Sequence, residues 1–217
     1  MIKNVQNKKI EIIDVINERI HIMDEIYRTG KSFDRYKIVL NNRKNENSVK
    51  SYLTNDNYLL DIYKTLEAWD MNKRGAKLRK LSEIKQSFIK NMDYFIELEK
   101  IGLNIIGLNI EKIEPVIKKL YNELYIMESN SKLVSFSKTL HFIFPSLFMP
   151  MDRQNTLRYF YNNQTSESYN KFLDIYKFCH NICNENINWN KILNSGWNST
   201  VPKIVDNAII LKMLDFA

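Results

Sequence analysis

The chain has 217 residues, a formal charge of +7 and a pI near 9.2, with 44% hydrophobic and 26% charged residues. Only five glycines and four prolines punctuate it, too few for the turns of a β-sandwich or a doubly wound α/β protein. No apolar stretch approaches the roughly 18 residues that suggest a spanning helix, and the mixed charges of residues 1–14 interrupt any secretory signal. A non-membrane, cytoplasmic, all-α protein is therefore expected.

The first predicted helix covers residues 9–28, where Ile10, Ile13, Ile16, Ile20, Met23 and Ile26 recur at three- and four-residue spacing, and Gly30 ends it. Residues 41–57 are polar and Asn-rich and read as a loop, or as a weak helix between loops. A helix over 58–69 carries Leu59, Ile62, Leu66 and Trp69. After a break at 70–74, residues 76–100 read as the longest amphipathic helix, with Leu78, Leu81, Ile84, Phe88, Met92 and Phe95 on one face.

Residues 101–105 and 106–110 repeat one pentapeptide, too short for a repeat architecture, and are expected to connect helices. Pro115 places a helix start near Glu114, running to about Met127. Residues 131–144 are strongly apolar and predict a central helix stopped by Pro145. Asp152 suits the N-cap of a helix to Tyr161. Further helices are expected over 166–184, 188–193 and 201–216. The sum is one compact orthogonal bundle of about eight to ten helices, a single domain over 1–217 whose two lobes, if it has them, meet near 101–110.

Candidate chemistry is sparse. Gly30, Lys31 and Ser32 mimic the end of a phosphate loop, but the glycine required five residues earlier is Glu25. Cys179 and Cys183 lack a second ligand pair, so neither a metal nor a cofactor is expected. The densest charge is Lys73, Arg74, Lys77, Arg79, Lys80, Lys85 and Lys90 against Glu83 alone. On one helix, Arg79, Lys80 and Lys90 would face outward, where they could neutralise nucleic-acid phosphates or merely be solvated. Lys138 stands within the most apolar segment. Burial lowers a lysine's pKa toward the nucleophilic range, and Asp152 follows after a turn that could fold back beside it. The plainer alternative is that Lys138 reaches solvent and Asp152 only caps a helix.

Two segments carry a resemblance. Leu66, Trp69, Met71, Arg74 and Gly75 are similar to a Leu-x-x-Trp-Gly-Met-x-x-Arg-Gly signature, with Asp70 at the usual glycine. Ser137, Lys138 and Leu140, followed by Pro150, Asp152 and Arg153, resemble a Ser-Lys-x-Leu…Pro-x-Asp-Arg signature. Both occur in a widespread group of small uncharacterised bacterial proteins without an established activity. The second also resembles the helix-hairpin-helix DNA glycosylases, which implies Lys138 as nucleophile and Asp152 as its acid/base partner. That family's glycine-rich hairpin turn has no counterpart in residues 133–137. The expected function is a nucleic-acid-associated protein contacting DNA or RNA through Lys73, Arg74, Lys77, Arg79, Lys80, Lys90 and Arg153. The alternative is a non-catalytic helical scaffold, which admits a homo-oligomer.

Overall fold

A computed structural model describes residues 2–27, 30–73, 77–129, 131–162 and 166–215. The chain opens with α1 (Val5–Glu18), a 3-10 turn (Ile20–Ile22) and the short α2 (Met23–Ile26). Next come α3 (Lys31–Lys44), α4 (Val49–Thr54), α5 (Asp56–Ala68), α6 (Leu81–Lys90) and α7 (Met92–Ile101). Then follow α8 (Ile110–Glu123) and α9 (Leu133–Ile143), and a π turn (Arg153–Leu157) that runs into α10 (Arg158–Tyr161). The chain closes with α11 (Tyr169–Cys183), α12 (Trp189–Ile192) and α13 (Val201–Leu214). The all-α class stands, but thirteen α-helices among the described residues exceed the eight to ten expected. No helix there is long and apolar enough to cross a membrane.

The additional helices arise where side chains compete with the backbone. The expected 76–100 helix is two helices, because the buried Asn91 turns its amide onto the Ser87 carbonyl at 2.9 Å. Its first residues are not helical either. Leu78 forms an antiparallel bridge with Met127, and the Arg79 N–H donates to the Ile126 carbonyl at 2.9 Å. The polar 41–57 stretch holds the end of α3 and all of α4, which Ser48 caps through the Ser51 N–H. Helix α8 begins four residues before the expected start because the Asn109 side chain caps it at the Glu111 N–H. Pro115 therefore lies inside α8, on its exposed side, where water can take the carbonyl that the proline leaves free. The two pentapeptides form the α7–α8 connector.

Two helices have almost no solvent face. Every residue of α9 except Lys138 is buried, and so is α13 from Val201 through Ile209. A helix that is apolar all round belongs inside the protein, and buried hydrophobic residues from Ile2 to Met213 form one cluster around these two. Polar backbone ends inside such a core need protein partners. Arg43 supplies them at the end of α9: its Nε donates to the Ile143 carbonyl at 2.8 Å and its Nη2 to Glu99 Oε1 at 3.0 Å. Glu99 also accepts from the Val49 N–H at 2.8 Å, which ties α3, α4, α7 and α9 together. Replacing Arg43 by Met leaves Glu99 without its cation, held only by the Val49 N–H, and takes the Arg43 donor from the Ile143 carbonyl, and is expected to cost about 3 kcal/mol in urea unfolding. Full retention of stability would show the tie to be dispensable.

Candidate active site

The carboxyl end of α5 organises the site. Trp69 ends the helix and Asp70 adopts a left-handed conformation with φ 64°. The Met71 N–H then reaches the Leu66 carbonyl at 3.0 Å and the Asp70 N–H the Glu67 carbonyl at 3.1 Å. This is a Schellman ending, whose left-handed position favours glycine and tolerates aspartate. Two carbonyls of the same helix end are taken by side chains. Ser32 Oγ donates to Ala68 at 2.9 Å, and Lys138 Nζ donates to Trp69 at 2.9 Å. A helix C-terminus carries partial negative charge, so an ammonium is well placed there.

Lys138 enters from α9, and the next turn of chain brings Asp152 to it. Ser137 Oγ accepts from the Met151 N–H at 3.0 Å and donates to the Val134 carbonyl at 3.0 Å, which pins residue 151 against the helix bearing Lys138. Asp152 caps the π turn: Oδ1 accepts from the Asn155 N–H at 2.6 Å and Oδ2 from Asn155 Nδ2 at 2.9 Å. The expected N-cap is therefore present, although a π turn precedes α10. Lys138 and Asp152 form no ion pair within 4.0 Å among the described residues; their charges interact across open space. Burial pushes the Lys138 ammonium below its ordinary range, against the opposing pull of Asp152, Asp206 and Asp70.

Residues not anticipated from the sequence complete the site. Lys203 and Asp206, one turn apart on α13, form a buried ion pair at 2.5 Å. The Lys203 ammonium lies 5.5 Å from the Trp69 ring centre and 5.2 Å from that of Trp197, and Lys138 lies 5.7 Å from Trp69. Both lysines thus lie over the ring of one indole, whose electron-rich face attracts a cation. Burial raises the Asp206 carboxyl, with Lys203 pulling the other way. Tyr27 stands at the same cavity, its hydroxyl raised by burial and by Asp152 and Asp206.

These groups line two adjoining cavities. One, of about 240 Å³, has Trp69, Trp197, Tyr27, Met23 and Ile210 as walls, with Lys203 and Asp206 among them. The other, of about 250 Å³, is lined by Ser129, Ser131, Ser135, Gln154, Arg153 and Glu167. Trp69, Asp70, Lys138 and Asp152 border both.

The remaining expected contacts fall elsewhere or are already engaged. Arg153 Nε is bound to Glu167 at 2.6 Å and its Nη2 to Ser131 Oγ at 2.7 Å. Lys73 pairs with Asp70 at 2.5 Å, Lys77 with Glu128 at 3.3 Å, Arg79 with Glu83 at 3.9 Å and Lys85 with Asp56 at 2.5 Å. Lys80 and Lys90 are exposed, and Arg74 lies outside the described residues. The single outward basic helix face is corrected accordingly: residues 73–80 precede α6, and acidic neighbours screen four of these cations. The two cysteines are buried, free and 3.8 Å apart, while His180 bonds the Leu108 carbonyl at 2.9 Å.

Behind the site, His141 Nδ1–H donates to the Phe148 carbonyl at 2.7 Å, so neutral Nε2 accepts from the Tyr36 hydroxyl at 2.8 Å. Ser199 Oγ then donates to the Tyr36 oxygen at 2.9 Å. Comparison with known proteins returned no matching family model, curated protein or solved structure.

Burial holds the His141 pKa down at about 3, Lys203 adding to the effect and the Phe148 bond opposing it. Between about pH 6.5 and that value the unfolded chain binds a proton that the folded chain refuses. Stability contributed above pH 6.5 is therefore lost as the pH falls. Against His141→Gln, the wild-type protein should lose up to about 1.4 kcal/mol more per pH unit across this window. Parallel pH–stability curves would show His141 not to be the sensor.

Proposed function

We propose that the chain is a nucleic-acid-associated protein of DNA-glycosylase or lyase type in which Lys138 is an amine nucleophile. The observation that carries this is that Lys138, its ammonium disfavoured by burial, and Asp152 border the same open, tryptophan-walled cavity. Burial favours loss of a proton from Lys138, and in that form the amine can donate one N–H to the Trp69 carbonyl and direct its lone pair to an aldehyde carbon, such as C1′ of an abasic sugar. Attack forms the C–N bond and an amine proton passes to the carbonyl oxygen, giving a carbinolamine; a further proton taken from solvent lets that oxygen leave as water and leaves an iminium ion. Asp152, its carboxylate fixed by Asn155, is placed to stabilise that positive charge. Trp69 and Trp197 offer faces on which a base can stack.

A second function, that of a non-catalytic interaction module, is favoured by one observation: Lys73, Lys77, Arg79 and Lys85, four cations of the segment expected to contact nucleic acid, are paired with carboxylates. It predicts unchanged partner binding when Lys138 and Asp152 are both replaced by alanine.

Borohydride reduction in the presence of an abasic-site oligonucleotide separates the two. Wild-type protein should yield a trapped covalent adduct at neutral pH, and Lys138→Gln should yield at least 100-fold less. Absence of any adduct across abasic and damaged-base substrates would remove the enzymatic assignment.

A further inference from the structure

We infer that the two adjoining cavities form one bipartite site for a nucleoside unit, with the heterocycle in the tryptophan lobe and the hydroxylated sugar in the serine lobe. The inference rests on the function proposed above and extends it to the shape and polarity of the ligand. Each lobe, at about 240 and 250 Å³, has room for about eight waters at ~30 Å³ each. That suits one ring system per lobe, and a two-part ligand must cross the waist where Lys138, Asp152, Trp69 and Asp70 border both. A nucleoside laid this way puts the bond between its two rings beside Lys138 Nζ.

The lobes are similarly polar but differ in their unengaged hydrogen-bonding groups, and these set the orientation. In the first, two indoles, Met23 and Ile210 offer flat apolar surface, and Asp206 keeps Oδ1 without a hydrogen-bond partner among the described residues. An aromatic ring presenting N–H groups fits those walls and that acceptor. The second lobe has Met71, Met127 and Val134 among its walls and carries Ser129 and Gln154, neutral groups that donate and accept as sugar hydroxyls do, beside Ser131 and Ser135, which are engaged by Arg153 and the Lys132 carbonyl. The Ser129 and Gln154 side chains have no hydrogen-bond partner among the described residues and are exposed. A phosphate suits this lobe less well. Its cations Arg153 and Lys73 are already held by Glu167 and Asp70, whose carboxylates would repel the added charge.

Calorimetric titration with uracil, uridine, uridine 5′-monophosphate and a single-stranded oligouridylate, repeated in the adenine series, tests this on the full chain. The nucleoside should bind at least tenfold more tightly than its free base, and the monophosphate more weakly than the nucleoside. Trp197→Leu should weaken base and nucleoside alike by about tenfold. Ser129→Ala with Gln154→Ala, both on the surface, should bring nucleoside affinity down to that of the base and leave the base unchanged. Competition between nucleoside and oligouridylate for one site assigns the unit to the polymer as well, and its absence restricts the ligand to free nucleosides.

Equal affinity for base and nucleoside in both series, no binding of either, or indifference to the double substitution would overturn the bipartite site. The two proposals fail separately. Lys138 adducts without nucleoside preference remove only the bipartite site, and nucleoside preference without adducts removes only the nucleophile.

Discussion

Helix α9 is enclosed by protein, and that constraint shapes what surrounds it. A helix without a solvent face cannot rely on water to satisfy its carboxyl end or its polar side chains. Arg43 reaches the Ile143 carbonyl, Tyr36 and the Phe148 carbonyl take both nitrogens of His141, and Ser137 holds the Met151 N–H. Lys138, the one residue of α9 that is not buried, solves the same problem by bonding the exposed end of another helix, the Trp69 carbonyl. The site is thus a by-product of how a buried helix finds partners, and it inherits the rigidity of those bonds.

The two lysines at the tryptophan-walled cavity are compensated differently. Lys203 and Asp206 neutralise each other inside α13, a costly burial unless geometry and further contacts offset desolvation. The faces of Trp69 and Trp197 provide such contacts to Lys203. Lys138 has no carboxylate partner within ion-pair distance among the described residues, so burial acts on its ammonium with less compensation. This difference sets an ion-paired lysine apart from one without a carboxylate partner, although both lie over one indole.

Much of the helical architecture was legible in local patterns. The 3.6-residue periodicity located α5, α8, α11 and α13 to within a few residues, Pro145 stopped α9, and Asp152 announced its cap, whereas the single helix expected over 9–28 is divided into α1, a 3-10 turn and α2. Misreadings came where a side chain outbid the backbone pattern. Asn91 splits an otherwise continuous amphipathic stretch, and the pairing of Leu78 with Met127 pulls residues 77–79 out of the helix. Half of the site was legible too, because a lysine in an apolar run is anomalous wherever it folds. The same test would have found Lys203 and Asp206, an i, i+3 pair of opposite charges in the otherwise apolar run of α13. Trp197, Tyr27 and Ser32 carried no comparable signal, since aromatic and serine residues at such positions are common in cores and loops.

By itself the sequence determined the helical class, the enclosed character of residues 133–143 and the placing of Lys138 within them, because hydrophobic periodicity and proline act over a few residues. Only the tertiary structure decided that Lys138 and Lys203, 65 positions apart in the chain, lie over the same tryptophan. It also decided that most cations of residues 73–85 are spent on carboxylates as distant as Asp56 and Glu128. Such pairings depend on which surfaces meet when helices pack. Packing is a property of the whole chain, and no local spacing encodes it.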